Sequence, residues 1–388
     1  MIERTLANKL KDSFKKYPVV TLTGPRQSGK TTLCKTVFKD LPYVNLEEPD
    51  IRKFAQDDPR GFLKRYSEGG IIDEIQRVPD LVSYIQVLVD SKNKNSQFVL
   101  TGSEQFALSQ TISQSLAGRT AVFHLLPFSL RELNLKKPEL ANFDEYIYKG
   151  FMPRIYDHDI EPNRALADYF ETYVERDLRN LSQIQDLNTF RTFVKLCAGR
   201  IGNTINYNKL GSDAGISHST VRQWLSLLEA SYIIFRLEPF HKNIRRRLTK
   251  SPKLYFHDVG LARYLIGIEN IQQIETHPLK GALFENLVIS EALKNRFHNG
   301  KDNNLNYYQD AIGNEIDLLS TTGTGITGLE IKSSSTMNQA HTKNFSKFEK
   351  ATQEILTKKF VVYAGNDIEA YGANFITPNS ISTALEVN

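Results

Sequence analysis

The sequence predicts an α/β protein in three successive parts, and three observations carry that expectation. A β-rich apolar run opens onto a glycine loop and then a helical pattern within residues 17–38. A compact helix-turn-helix pattern, followed by strand-like segments around a basic loop, occupies 205–257. From 279 to 365 the pattern runs helix, strand, strand, strand, helix, strand, with acids and a lysine on two strands where core residues should go. The expected parts are 1–155, 156–270 and 271–388.

The chain has 388 residues, 40% hydrophobic and 24% charged, which is ample for two or three cores. "MIERTLANKLKDSFKKYP" lacks the apolar core of a signal peptide, and no later run is long enough to span a bilayer, so no membrane partner is expected. Two cysteines, Cys34 and Cys197, have no metal-like spacing, which points to a reducing, cytoplasmic setting without zinc. Net charge is +5, and its distribution says more: Arg236 to Lys253 holds seven Lys or Arg and one acid. Such a run either meets phosphate or forms a solvated basic hairpin. No internal repeat or low-complexity segment interrupts the chain.

The first element is "YPVVTLTGPRQSGKTTLCKTVF". Val19 to Thr23 is strand-like, and Gly24-Pro25-Arg26-Gln27-Ser28-Gly29-Lys30-Thr31 fits GxxxxGK[ST] without a mismatch. Glycines let backbone N–H groups curl around phosphates. Lys30 would reach the β and γ phosphates, Thr31 would ligate Mg²⁺, and Thr32 continues the binding segment into the helix. An apolar strand ending in acids should follow, and "GGIIDEIQRVPDL" supplies it. Asp73 would hold Mg²⁺ through water, and Glu74 would polarise an attacking water. The strand in "QFVLTGSEQF" ends in polar residues. Ser103, or else Thr101, is the candidate to orient that water, and a helix-capping serine is the plainer reading.

Next, "SQSLAGRTAVFHLLPFSLREL" sets Arg119 before a strand from Ala121 to Leu126. The chain resembles a prokaryotic family of AAA-type ATPases whose C-terminal half is a conserved domain of unknown function. "GPRQSGKTT", "DEIQ", "LTGS", "LAGR" and "LPFSLREL" carry the resemblance in front, and "KSPKLYFHDVGLARYL", "GALFENLV", "NEIDLL" and "EIK" behind. It implies a P-loop domain using ATP and Mg²⁺ in a homo-oligomer, with Arg119 as an arginine finger directed at a neighbouring subunit's nucleotide. A structural arginine paired with an acid is the alternative.

In the middle part, "LADYFETYVERDLRNL" is amphipathic at a 3.6-residue period. Tyr207 to Asp213 reads as a short helix, Ala214-Gly215 as the turn, and Ser217 as the N-cap of the next helix. Val221, Trp224, Leu225 and Leu228 fall on one helical stripe. Arg222 lies on the polar side, where a recognition helix presents residues to DNA. Strands Ile233–Phe240 and Leu254–His257 would flank a wing carrying Arg245, Arg246 and Arg247, which would contact nucleic acid or else the nucleotide domain.

The last part is similar to restriction-endonuclease-like folds, whose pattern is written PD-(D/E)XK. The likeness implies that Asp317 and Glu330 bind a divalent cation, Mg²⁺ or Mn²⁺, that Lys332 stabilises charge, and that Glu285 completes the shell. Glu330 and Lys332 share a strand face, as do Glu315 and Asp317, which makes Glu315 an accessory candidate. The proline-aspartate lead-in is absent, so a purely structural site stays open. The combined expectation is an Mg²⁺-dependent ATPase coupled to a C-terminal half that acts on DNA. The rivals are an ATP-controlled switch for protein partners and an ATP-gated effector nuclease.

Overall fold

The computed structural model describes residues 2–103, 115–135, 142–177, 184, 186–240 and 251–385. They divide into two compact units. The first is Met1–Pro127 with Ala230–Tyr232 and Phe297–Lys301; the second holds the rest. The continuous N-terminal segment of the first unit runs to Pro127.

In the first unit, helix α1 (Ala7–Phe14) precedes β1 (Val19–Thr23) and α2 (Lys30–Val37). Then come β2 (Tyr43–Asn45), α3 (Pro49–Asp57), α4 (Pro59–Lys64), β3 (Gly70–Asp73), α5 (Leu81–Lys92), β4 (Phe98–Gly102) and β5 (Thr120–His124). The strands form one parallel sheet in the order β2-β3-β4-β1-β5. Parallel strands are covered on both faces, which is why β1, β3 and β4 are buried at every position. Alternation divides their side chains between two cores. Val19, Ile72, Phe98 and Leu100 pack with Leu81, Val82 and Ile85 of α5, while Val20, Leu22, Ile71 and Val99 pack with Leu6, Leu10 and Leu33. The register sets Thr23 beside both Gly102 and His124, so the loops after β1, β4 and β5 leave from one edge of the sheet.

The second unit begins with short helices, among them Pro162–Tyr169. The long 3.6-period helix expected there changes character after Tyr169, where Phe170–Asp177 winds as a π-helix. The wider turn lets Tyr169, Phe170, Tyr173 and Val174 all be buried. Helix α6 (Leu187–Ala198) precedes the helix-turn-helix pattern, which forms α7 (Tyr207–Ala214) and α8 (His218–Ala230). Gly215 ends α7 in the left-handed conformation, φ +69°, and the Ser217 hydroxyl caps α8 by accepting from the Thr220 N–H at 3.1 Å. Val221, Trp224, Leu225 and Leu228 are buried, and Phe190 and Phe193 of α6 meet Trp224 edge-on at 5.1 and 5.2 Å.

After α8 come β6 (Ile234–Pro239), β7 (Lys253–Phe256), α9 (Lys280–His298), β8 (Leu305–Gln309), β9 (Glu315–Thr322), β10 (Gly325–Lys332), α10 (Lys343–Thr352), β11 (Leu356–Tyr363), β12 (Ile368–Ala370) and β13 (Ala373–Ile376). The strands make one sheet in the order β12-β13-β11-β10-β9-β8-β6-β7. Strands expected to belong to separate middle and C-terminal parts thus share one ladder, joined where Glu238 and Pro239 of β6 run parallel to Asn306 and Tyr307 of β8. Among the described residues, no helix is long and apolar enough to cross a membrane.

Candidate functional site

The loop after β1 folds as a phosphate cradle because three residues accept φ values that most side chains avoid: Gly24 at +150°, Gln27 at +62° and Gly29 at +91°. A Cβ on Gly24 would lie 2.1 Å from the Leu125 carbonyl oxygen, so this position requires glycine. Gly29 is the N-cap of α2, whose first N–H groups face the loop's anion-binding side. The Lys30 ammonium is buried and donates to the carbonyls of Gly24 (2.9 Å) and Pro25 (2.8 Å). Burial lowers its pKa to about 8, against the opposing pull of Glu74 and Asp73. Ser28 and Pro25 are buried, Arg26 lies within 3.8 Å of Glu47, and Gln27 and Thr32 are exposed. Arg4, which no motif signals, clamps the loop from behind by donating to the carbonyls of Ser28 (2.8 Å) and Leu126 (2.5 Å).

Asp73 is the hub beside Lys30. Its carboxylate accepts from Thr31 Oγ1 (2.7 Å), Tyr43 Oη (2.8 Å), Thr101 Oγ1 and the Glu74 N–H (3.2 Å). A hydroxyl and a carboxylate converging on one edge are hard oxygen donors, so this set fits Mg²⁺. Glu74 follows in the left-handed conformation, φ +56°. Its carboxylate accepts from Ser103 Oγ at 3.2 Å and from Gln76 Nε2, which also reaches Ser103 at 3.3 Å. The two polar residues at the end of β4 therefore divide the work: Thr101 holds Asp73, and Ser103, just beyond the strand, holds Glu74. Tyr43 and Gln76 join the site without any signal in the sequence beyond "DEIQ".

Arg119 lies at the other edge of the sheet. Its carbonyl accepts from the Val19 N–H at 3.2 Å, which sets it one strand length, about 13 Å, from the loop end of β1. Its guanidinium makes a two-pronged pair with Asp90 of α5, at 2.5 and 2.9 Å. Arg119 thus does not join the phosphate loop of its own chain.

A second site lies on the large sheet. Glu285 of α9 and Glu315 and Asp317 of β9 bring carboxylate oxygens within 4.8 Å of one another. Glu330 and Lys332 of β10 join from the next strand: Lys332 Nζ donates to Asp317 at 3.4 Å and to Glu330 at 3.0 Å. Asp317 also accepts from the Ile331 N–H at 2.7 Å, and Glu330 from Asn344 of α10 at 3.3 Å. The three grouped carboxylates therefore include Glu315, expected only as an accessory, and not Glu330, which sits across Lys332. Burial and Asp317 push the Glu330 carboxyl up to about 8, and the same two causes raise Glu285. Burial draws Lys332 down, but Asp317 and Glu330 more than offset it and hold the ammonium above its usual range.

Lys253 of β7 was missed by the sequence reading. It is buried, donates to Glu285 at 3.2 Å and pairs with Glu315. Tyr255, two residues on and on the same face, donates to Glu285 at 2.5 Å. Of the expected nucleic-acid contacts, Arg222 is exposed and stacks over Tyr207 at 4.9 Å, while Arg245, Arg246 and Arg247 lie outside the described residues.

Three family models match successive parts of the chain. An AAA domain matches residues 16–134, a domain of unknown function (DUF8612) matches 140–272, and another (DUF4143) matches 280–381. Uncharacterized proteins of Mycobacterium tuberculosis and Mycobacterium bovis are each 32% identical over 337 residues, covering 86% of this chain and 74% of their own. Among solved structures, a Walker-type ATPase of Pyrococcus abyssi aligns at 17% identity with a TM-score of 0.44, over 67% of this chain and 94% of its own. The first unit is an AAA-type, ATP-binding P-loop domain. The chain as a whole belongs to the family of AAA-type ATPases that carry a C-terminal domain of unknown function.

Proposed function

We propose that the protein is an Mg²⁺-dependent ATPase whose nucleotide state controls a C-terminal half acting on DNA. The observation that carries the ATPase reading is the Asp73 hub, where Thr31, Tyr43 and Thr101 meet one carboxylate beside Lys30. Bound there, Mg²⁺ would neutralise phosphate charge. Lys30 binds the terminal phosphates, exchanging its loop carbonyls for them. Thr31 and Asp73 hold the metal side of the site. Glu74 takes the proton of the attacking water, with Ser103 and Gln76 fixing its carboxylate. Arg119 acts in trans in a homo-oligomer, which its position away from its own loop supports. Lys30→Ala should abolish nucleotide binding, while Glu74→Gln should keep it and lower turnover at least a hundredfold. Wild-type turnover in Glu74→Gln would overturn the base assignment.

For the C-terminal half, the helix–strand–strand–strand–helix–strand order and the Asp317–Glu330–Lys332 arrangement support a nuclease-like body, and the exposed Arg222 of α8 is the candidate DNA contact. Asp317 and Glu285, with Glu315 beside them and Glu330 across Lys332, offer oxygen donors that fit Mg²⁺ or Mn²⁺, and Lys332 stabilises charge on a phosphodiester. Titration of labelled DNA at several salt concentrations tests this, since phosphate contacts give a steep salt slope. A second reading rests on Lys253 and Lys332. Two ammoniums already engage the carboxylates, which favours an inactive site and a switch for protein partners. Mn²⁺ stabilising the wild-type chain but not Asp317→Asn would favour the metal site, and metal-dependent nicking of DNA would add the ATP-gated nuclease.

A further inference from the structure

The last residue of β1 is held by a triangle that the catalytic reading does not use. Thr23 Oγ1 lies 2.8 Å from His124 Nδ1 and 2.8 Å from Tyr232 Oη, and the latter two are also 2.8 Å apart. The Thr23 hydroxyl has the Phe123 carbonyl within reach as well, at 3.3 Å. Thr23 and Tyr232 are buried, and burial raises the Tyr232 phenol, so that group stays neutral and available as a donor. Thr23 directly precedes Gly24, whose carbonyl holds Lys30 at 2.9 Å. The Thr23 carbonyl itself accepts from the Leu125 N–H at 2.8 Å. The take-off of the phosphate loop is therefore fixed by backbone on one side and by the Tyr232 hydroxyl on another.

Tyr232 reaches this position at a conformational cost. It has φ +56°, in the region where a bulky side chain is an outlier. The Ile233 N–H donates to the Leu228 carbonyl at 2.9 Å, the six-to-one bond that closes a helix in a Schellman motif. Tyr232 thus fills the left-handed position just beyond α8, where glycine is the default. Glycine would close the helix without strain but would bring no hydroxyl to Thr23. Strained residues of this kind persist where the surroundings over-determine them, and they cluster at functional positions.

We infer that Tyr232 is a positioning residue for the phosphate loop, which couples nucleotide occupancy to the end of α8. The link is direct: Tyr232 bonds Thr23, Thr23 leads into Gly24, and Tyr232 is covalently continuous with α8 before it and β6 after it. Coupling of this kind is reciprocal, so if α8 closure biases nucleotide affinity, nucleotide must bias α8 closure.

The test is Tyr232→Phe in the full chain, which removes one oxygen and keeps the ring. Loss of one net hydrogen bond to the loop should weaken fluorescent ATP-analogue binding about fivefold. In the wild type, nucleotide should slow hydrogen exchange at the Ile233 amide, and in Tyr232→Phe that slowing should vanish. A merely structural tyrosine would lower thermal stability without touching this nucleotide-dependent protection. Thr23→Val completes a double-mutant cycle, and the double variant should lose less than the product of the two single losses, because both singles remove the Thr23–Tyr232 bond. Binding within twofold of wild type with protection intact, or losses that multiply independently, would overturn the inference. The inference rests on nucleotide occupying this loop. Lys30→Met is the control, and if it binds nucleotide as wild type does, that reading fails rather than this one.

Discussion

Lys30→Met should leave the nucleotide-free protein about as stable as wild type at pH 7, make it less stable at pH 10, and remove its stabilisation by nucleotide. In the fold, burial holds the Lys30 pKa near 8 against 10.5 in its absence. That difference of 2.5 pH units corresponds, at about 1.36 kcal/mol each, to about 3 kcal/mol by which the charged ammonium disfavours the folded state at pH 7. Methionine keeps the apolar stem and removes that cost. It also removes two bonds from a charged donor to the Gly24 and Pro25 carbonyls, at least about 1.5 kcal/mol each. The two effects nearly cancel, so the variant should melt within roughly 4 °C of wild type for a unit of this size. Between pH 8 and 10.5 the unfolded chain binds more protons at this residue than the folded one, so wild-type stability rises with pH. The variant should therefore fall behind wild type as pH climbs from 8 towards 10.5. With MgATP at a hundred times its Kd the wild type should gain about 2.7 kcal/mol and the variant nothing, which opens a gap between them at pH 7 as well. Differential scanning fluorimetry at pH 7 and pH 10, with and without nucleotide, reads all of this. A variant melting with wild type at pH 10, or one that MgATP stabilises, would refute the reasoning.

Arg119→Ala and Lys30→Ala, each inactive alone, should recover some hydrolysis when mixed, and specific activity should rise with protein concentration; a concentration-independent rate with no recovery would return Arg119 to its pairing with Asp90. Lys253→Met should destabilise the second unit by about 3 kcal/mol, since removing one partner of a buried pair leaves uncompensated charge. Adding Glu315→Gln should restore part of that loss, and two losses that simply add would show that the pair is not the reason Lys253 is buried.

The phosphate loop was legible because its chemistry is contiguous: eight residues in fixed spacing specify strand, turn and helix start together. Asp73, Glu74 and Ser103 were legible for a related reason, since each ends a strand of the same parallel sheet, and such strands deliver their last residues to one edge. Tyr43, Gln76 and Arg4 were not, because each contributes one atom from an element whose local pattern is ordinary. Lys253 was hidden by its setting. It closes a basic run, so it read as one more charge on a solvated loop, whereas it opens a buried strand against two carboxylates. Tyr232 was hidden because its role depends on a backbone conformation that a tyrosine seldom adopts. In the carboxylate cluster, strand alternation paired Glu315 with Asp317 and Glu330 with Lys332, but only the fold shows which pair faces α9.

The pairing of β6 with β8 bears on how the chain can be cut for study. A fragment spanning 280–381, where similarity to the DUF4143 domain is found, would start at α9 and leave out β6 and β7. The outer edge of β8 would then present unpaired N–H and C=O groups, an invitation to aggregation. The fragment would also lack Lys253 and Tyr255, leaving Glu285 and Glu315 to repel each other without the ammonium that joins them. A failed expression of that piece would say nothing about its chemistry. A fragment beginning before α6 keeps the ladder whole and carries its own counter-charge.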